Sequence, residues 1–172
     1  MGAPKACLVL DGTRLLDRAV NVLREGGCDP VIAVVRAGVE APGAQVVVNP
    51  DPARGMRSSL ELALTAAGEA EALAVLLVDV PGVLASAVRA VIQTWRPGRV
   101  AVARYGVRRG HPTVMAPDLW RAALEIADSD EGARALLAAR PDLVDEVQVA
   151  GDPTDLDTPV DLARWTSTRR LD

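Results

Sequence analysis

Hydrophobic residues along the chain follow two alternating patterns. Short uninterrupted apolar runs rich in valine predict buried strands, whereas apolar residues spaced three and four apart predict amphipathic helices. Glycine and proline pairs such as Gly26-Gly27 and Pro97-Gly98 separate the segments. A short apolar run at 6–10 is followed by strands predicted at 31–35, 46–48, 73–78, 100–103, 113–115 and 144–149. Helices are predicted at 15–23, 58–67, 83–95, 119–127, 132–139 and 161–168.

This alternation favours an α/β fold, a Rossmann-like three-layer sandwich. We expect a mostly parallel sheet with one antiparallel strand and with helices on both faces. The chain has 172 residues and neither an internal repeat nor a long linker, which predicts a single domain over 1–172. Ligands of such folds bind beyond the carboxyl ends of the strands. The site is therefore expected after Val35, Val48, Val78 and Ala103.

Composition narrows the class of protein. A chain that is 49% hydrophobic with a net charge of −4 has enough apolar residues for a core, which excludes wholesale disorder. No run approaches the ~20 apolar residues that span a bilayer, and no signal peptide pattern opens the chain. The two cysteines form no ligand cluster, and basic runs are absent. We therefore expect a cytoplasmic protein that binds neither membrane nor nucleic acid.

Lysine usage adds one candidate residue. Lys5 is the only lysine among 19 basic residues, and the others are arginine. This bias is typical of a GC-rich genome, in which a retained lysine suggests a functional requirement. A solvent-exposed lysine near a terminus explains the same observation equally well.

Two aspartate motifs follow predicted strands. Asp79 comes directly after the strand at 73–78, and Asp157 lies in an Asp-Leu-Asp-Thr-Pro segment before the last helix. Carboxylates at strand ends are suitable ligands for Mg²⁺. Substrate phosphates and water then complete the coordination shell of the ion. Both aspartates could instead cap the helices that follow them.

Two further segments combine glycine with groups that bind anions. Asn49, Gly55 and Ser59 flank the start of the helix at 58–67, where free amide groups can receive phosphate. An ordinary serine cap explains the same spacing. Arg108 precedes Gly110-His111-Pro112 between two strands. Arginine donates paired hydrogen bonds to phosphate, although a charged hairpin turn is an equally simple interpretation.

The order of these motifs is more informative than any one of them. The chain resembles the MobA-like nucleotidyltransferases over essentially its whole length. The branch similar to molybdenum cofactor cytidylyltransferases has the Gly-His-Pro and Asp-Leu-Asp-Thr-Pro elements. The matching motifs are Met1-Gly2-Ala3-Pro4-Lys5, Asp11-Gly12, Asn49 with Gly55 and Ser59-Leu60, Asp79-x-Pro81, Tyr105-Gly106, Gly110-His111-Pro112, Gly132-Ala133-Arg134 and Asp155-Leu156-Asp157-Thr158-Pro159.

The resemblance implies nucleotidyl transfer. A phosphate of the acceptor attacks the α-phosphorus of a nucleoside triphosphate, and pyrophosphate leaves. Asp79 would be catalytic and hold Mg²⁺ together with Asp157, while Lys5 would be catalytic and bind the triphosphate. The remaining roles are nucleotide binding by Asn49, Gly55 and Ser59, and acceptor binding by Arg108, His111 and Arg134.

The resemblance also implies substrates and partners. We expect CTP as the nucleotide, a phosphorylated acceptor such as molybdopterin cofactor, and a molybdoenzyme or its chaperone as a recipient. Guanylyl transfer to molybdopterin, or transfer to another small phosphorylated acceptor, are alternatives. A non-catalytic cofactor-binding module is a third alternative.

The start of the chain departs from the family pattern. It begins at the methionine inside the signature loop, so the first strand and the glycine-rich segment that wraps the triphosphate are not in the sequence. A misassigned start, a shortened chain or a degenerate homologue would each explain this. We expect an apolar slot in the sheet. Ser129-Asp130-Glu131 also departs from the family pattern, which weakens any role for Asp130.

Overall fold

The computed structural model describes residues 5–126 and 133–158, together with 161 and 165. The strands are β1 (Val9–Leu10), β2 (Thr13–Arg14), β3 (Ile32–Val35), β4 (Gln45–Val48), β5 (Leu73–Val75), β6 (Val100–Tyr105), β7 (Arg108–Met115) and β8 (Val144–Gln148). The α-helices are α1 (Leu15–Glu25), α2 (Met56–Ala66), α3 (Ala85–Thr94), α4 (Pro117–Ile126) and α5 (Arg134–Ala139). Short 3-10 turns lie at Lys5–Cys7, Pro52–Arg54 and Pro141–Leu143.

The main sheet is divided into two parts. Strands β3 and β4 pair in parallel, and four strands pair in the order β5-β7-β6-β8. Strand β8 runs parallel to β6, whereas β7 runs antiparallel to both of its neighbours. Strands β1 and β2 form a separate small hairpin. The expected antiparallel strand is therefore β7.

Side chains of β6 alternate between two helical layers. Ala101 and Ala103 point to one face, where they pack against Val88 and Val91 of α3. Val100 points to the other face, toward residues of α2 and α4. All five residues are almost fully buried, and a period of two is what a sheet covered on both faces requires. The structure confirms the predicted α/β fold with helices on both faces.

A cavity separates the two parts of the sheet. It has a volume of about 560 Å³ and lies between β3 and β5, lined largely by apolar side chains that include Val34 and Leu73. The cavity occupies the place where the resemblance led us to expect an apolar slot.

Several predicted strands differ in the structure. The predicted strand at 73–78 is only Leu73–Val75 and is half-buried, because one of its sides faces the cavity. Val46 and Val48 are 43% and 48% exposed, so β4 is an edge strand rather than a buried one. The run at 6–10 forms a 3-10 turn and the two-residue strand β1.

Other boundaries move less. Strand β7 begins at Arg108, earlier than the predicted strand at 113–115, because pairing with β6 extends it. Most of the helix predicted at 161–168 falls outside the described residues, as do Gly132 and the start of the helix predicted there. Within the described residues, no helix has the length and apolar character needed to cross a bilayer.

Candidate active site

Two aspartates and one lysine from distant parts of the chain meet beyond the end of β5. The Lys5 ammonium donates a hydrogen bond of 2.8 Å to Oδ2 of Asp79. The same Nζ atom also donates to Oδ1 of Asp157. Both carboxylates therefore converge on one point at the edge of the sheet.

Backbone contacts explain why the two aspartates converge. The Leu156 amide donates to the Asp79 carbonyl oxygen at 2.8 Å, and the Asp152 amide donates to the Gly82 carbonyl oxygen at 3.0 Å. Leu156 is only 1% exposed, so its buried side chain anchors the segment next to Asp157. These contacts hold the loop after β5 against the loop after β8.

Glycine at position 82 permits this close approach. A Cβ atom at Gly82 would lie 2.6 Å from the Asp152 carbonyl oxygen and 2.7 Å from the Trp165 ring. Any side chain here would push the two loops apart. Our sequence analysis missed Gly82, although its position directly after Asp79-Val80-Pro81 was a usable signal.

The two carboxylates differ in their surroundings. The Asp79 side chain is 16% exposed and that of Asp157 is 60% exposed. Oδ1 of Asp79 is buried and has no hydrogen-bond partner among the residues that the structure describes. Partial burial lowers the pKa of Lys5, but the hydrogen bonds that its ammonium donates to Asp157 and Asp79 outweigh this and raise its pKa above 10.5. Lys5 is therefore a stable cation between two anions.

The donor set fits a divalent metal ion. Carboxylate oxygens are ligands that Mg²⁺ and Mn²⁺ prefer, and a buried oxygen without a partner, Oδ1 of Asp79, is costly unless something binds it. The described part of the chain contains no group of three or more His, Cys, Asp or Glu side chains placed to hold a metal. A cation at Asp79 and Asp157 would thus need substrate oxygens or water to complete its shell.

Asn49 organises the start of α2. Its buried side chain donates to the hydroxyl oxygens of Ser58 and Ser59 at 2.9 and 3.0 Å, and its Oδ1 accepts from the Asp51 amide at 2.9 Å. Gly55, with a φ of 78°, turns the chain into the helix. The nucleotide-binding role of these residues stays a prediction, since the contacts seen are those of a helix start.

His111 lies beside the cavity and is held at two points. Its Nδ1 atom is 3.1 Å from the Val75 carbonyl oxygen, so Nδ1 carries the proton and Nε2 is free to accept. The Tyr105 hydroxyl donates to the His111 carbonyl oxygen at 2.6 Å. Burial is the main cause that lowers the pKa of His111 below 6.5, and burial also raises the pKa of Tyr105 to about 12.

The predicted acceptor-binding arginines are less constrained. Arg108 and Arg134 are both exposed. The charges of Arg134 and Asp79 act on His111 in opposite senses, which places both within electrostatic range of the imidazole. Arg109 is instead committed to an ion pair of 2.6 Å with Glu146. The charges of Arg134 and Asp79 thus both reach the His111 ring, while the contacts of His111 and Arg134 with an acceptor stay predictions.

Known proteins with the same fold and related sequences include nucleotidyltransferases. Residues 1–146 match the family model described as the MobA-like NTP transferase domain. A nicotine blue oxidoreductase of Paenarthrobacter nicotinovorans is 34% identical over 90% of this chain and 84% of its own. A probable molybdenum cofactor guanylyltransferase of Opitutus terrae is 37% identical over 61% of this chain and 54% of its own.

Solved structures extend the comparison to the whole chain. The homologue of Rv0371c from Mycobacterium sp. strain JC1 is 31% identical, with a TM-score of 0.86 over 100% of this chain and 91% of its own. The Rv0371c complex with manganese from Mycobacterium tuberculosis H37Rv is 28% identical, with a TM-score of 0.78 over 96% of this chain and 92% of its own.

Proposed function

We propose, from the premise that the chain belongs to the MobA-like NTP transferase family, that it transfers a nucleoside monophosphate to a phosphorylated acceptor and releases pyrophosphate. CTP is the proposed donor, and molybdopterin cofactor is the proposed acceptor. The observation that carries this proposal is the convergence of Asp79 and Asp157 on one point, where Lys5 supplies positive charge.

The reaction requires alignment and charge neutralisation more than covalent chemistry. An acceptor phosphate oxygen forms a bond to the α-phosphorus as the bond to pyrophosphate breaks, and negative charge accumulates on the leaving group. Asp79 and Asp157 would hold a divalent cation, Mg²⁺ in our proposal, which when bound supplies positive charge against the transferring phosphate. The manganese complex of a structural neighbour supports a divalent ion.

The chain's own residues would bind the two substrates from opposite sides. Asn49 and Ser59 would line the nucleotide side, with the start of α2 presenting amide groups to phosphate. Arg134 would bind the acceptor phosphate. His111 would bind the acceptor at an N–H or O–H group, because neutral Nε2 accepts a hydrogen bond and the Nδ1 proton is committed to the Val75 carbonyl oxygen.

A guanylyl donor is the main alternative within this chemistry. The relative from Opitutus terrae is named a probable molybdenum cofactor guanylyltransferase, and nothing at Asn49 or Ser59 distinguishes cytosine from guanine. A molybdoenzyme or its chaperone as recipient, and a cytoplasmic location, are further expectations that accompany the proposal.

An oxidoreductase is a second candidate function. It is favoured by the relative from Paenarthrobacter nicotinovorans, which is named for that activity and aligns with 90% of this chain. A non-catalytic cofactor-binding module is the third. The three candidates differ in one product, because only nucleotidyl transfer releases pyrophosphate.

Pyrophosphate release with purified protein tests the proposal. Molybdopterin cofactor is supplied with Mg²⁺ and either CTP or GTP, and the protein is compared with Asp79→Ala and with Asp142→Ala. Asp142 is a matched control because it is an exposed aspartate in the 3-10 turn before β8, where its carboxylate pairs with Arg140. We expect faster release with CTP, a loss of about 100-fold or more in Asp79→Ala, and no loss in Asp142→Ala.

Two results would contradict the proposal. Equal release by Asp79→Ala and the unmodified protein would reject the site. Absence of release with both nucleotides, together with oxidation of a reduced nicotinamide or flavin donor by nicotine blue, would favour the oxidoreductase instead.

A further inference from the structure

The Lys5 ammonium occupies the point at which a cation would be bound. Its nitrogen takes one oxygen from each aspartate, Oδ2 of Asp79 and Oδ1 of Asp157. A divalent ion held between the same two carboxylates would lie where the ammonium nitrogen now lies. The ammonium and the metal ion are therefore competitors for one position.

Electrostatics explains why the carboxylate pair needs such a counter-ion. Two carboxylates close enough to contact the same nitrogen atom repel each other strongly when no cation lies between them. Asp79 is largely withdrawn from water, so solvent screens it weakly. A lysine at position 5 removes that repulsion without any bound ion.

The lysine is also placed to leave. Its side chain is 34% exposed, its charge sits on a flexible four-carbon stem, and its backbone belongs to a 3-10 turn of three residues. Oδ1 of Asp79 stays unpartnered while Lys5 is bound. A divalent ion, with twice the charge, would therefore gain more from this site than the ammonium does.

We propose that Lys5 is a built-in counter-ion that holds the Asp79–Asp157 pair until a divalent cation displaces it. The displaced ammonium then becomes available to the triphosphate of the nucleotide, a step that rests on the proposed function. Lys5 in this account is a binding group with two alternative partners, and exchange between them links metal binding to nucleotide binding.

Nuclear magnetic resonance on the unmodified protein tests the displacement directly. Lys5 is the only lysine, so protein labelled with ¹³C and ¹⁵N lysine gives one side-chain signal set. Titration with Mg²⁺ alone is expected to move the Cε and Nζ signals toward those of a free, solvated lysine. A titration in which Mg²⁺ leaves the Lys5 signals unchanged overturns the proposal.

Metal affinity in variants gives an independent measurement. We expect Lys5→Met to bind Mn²⁺ about tenfold more tightly than the unmodified protein, by electron paramagnetic resonance of free Mn²⁺. The matched control is Arg140→Met, which also removes one positive charge but at the carboxyl end of α5, where Arg140 pairs with Asp142. It should bind Mn²⁺ like the unmodified protein. Equal or weaker binding by a folded Lys5→Met, or equal gains in both variants, overturns the proposal.

The Mg²⁺ titration of Lys5 and the assay of pyrophosphate release together separate this inference from the proposed function. Displacement of Lys5 by Mg²⁺ in a protein that releases no pyrophosphate would keep the counter-ion role and reject the transferase. Pyrophosphate release by a protein whose Lys5 signals do not change with Mg²⁺ would keep the transferase and reject the counter-ion role. If Lys5→Met does not fold, the titration of the unmodified protein alone decides.

Discussion

His111 shows how one residue's environment sets its chemistry. It is the only histidine in the chain, and its Nδ1–H group is committed to the Val75 carbonyl oxygen. Burial disfavours the charged imidazolium, so the pKa of His111 lies below 6.5. At pH 7 the ring is neutral and presents Nε2 as a hydrogen-bond acceptor.

This state of His111 is directly measurable. We predict a single imidazole signal in ¹⁵N-histidine spectra, with the proton on Nδ1 and a titration midpoint below 6.5. Because the unfolded chain takes up this proton at a higher pH than the folded one, stability should fall as the pH drops below about 6.5. A proton on Nε2, or a midpoint at or above 6.5, would contradict the geometry.

Asn49 has a structural role that can be separated from any ligand contact. Its buried amide makes three hydrogen bonds around the first turn of α2. Asn49→Ala should lower the free energy of unfolding by about 1–3 kcal/mol, since the Asp51 amide loses its acceptor and the buried Ser58 hydroxyl keeps only its bonds to backbone carbonyl oxygens. Urea unfolding measures this. Ser59→Ala, which removes a single bond, should cost less, and a larger loss in Ser59→Ala would argue against the role given to Asn49.

At the scale of elements, an ion pair fixes the start of strand β8. Asp145 accepts two hydrogen bonds of 2.6 Å from Arg99 and one of 3.0 Å from Arg96, just before β6. Chiefly because of the Arg99 bonds, the pKa of Asp145 falls to about 2. These bonds join the second residue of β8 to the residues just before β6, in addition to the backbone pairing of the two strands, and the loop that carries Asp157 follows β8.

We predict that replacement of Asp145 by asparagine causes a loss of thermal stability that depends on pH. Because its pKa is lowered on folding, the Asp145 carboxylate stabilises the fold above pH 3.8, and this stabilisation disappears as the pH falls toward 2. Asp145→Asn should therefore melt a few degrees lower at pH 7, and the difference should shrink between pH 4 and pH 3. A difference that is constant over this range would mean that the charge is not what stabilises the strand.

Strand and helix positions could be predicted because apolar periodicity records burial. The spacing of Leu15, Leu16 and Val20 matches the buried face of α1. The same periodicity does not reveal which strand lies next to which. Val46 and Val48 form an apolar run, yet within the described residues β4 pairs with β3 alone, and both valines are half exposed.

At the scale of the whole molecule, the split sheet sets the shape of the site. Strands β3 and β5 face each other across a cavity of about 560 Å³, and the chain beyond β5 leads to Asp79. Motif order led to the expectation of an open slot, but no periodicity in the sequence could supply the dimensions or lining of the cavity.

Convergence of the two aspartates was predictable only through the resemblance. Asp79 and Asp157 lie far apart in the sequence, and each alone is also a plausible helix cap. The contact of Lys5 with both carboxylates was not predicted, because the sequence analysis placed Lys5 at the triphosphate. Side-chain partners of this kind depend on loop contacts such as Leu156 with Asp79, which have no periodic signal.

If Asp79 and Asp157 hold one cation, they act as a single unit in the proposed nucleotidyl transfer. A double-mutant cycle in pyrophosphate release with CTP, comparing Asp79→Asn, Asp157→Asn and the double variant, tests it most directly. Residues that share one task are strongly non-additive, so the double variant should lose about as much activity as the more damaged single variant. Losses that multiply, or an Asp157→Asn variant with full activity, would contradict the account.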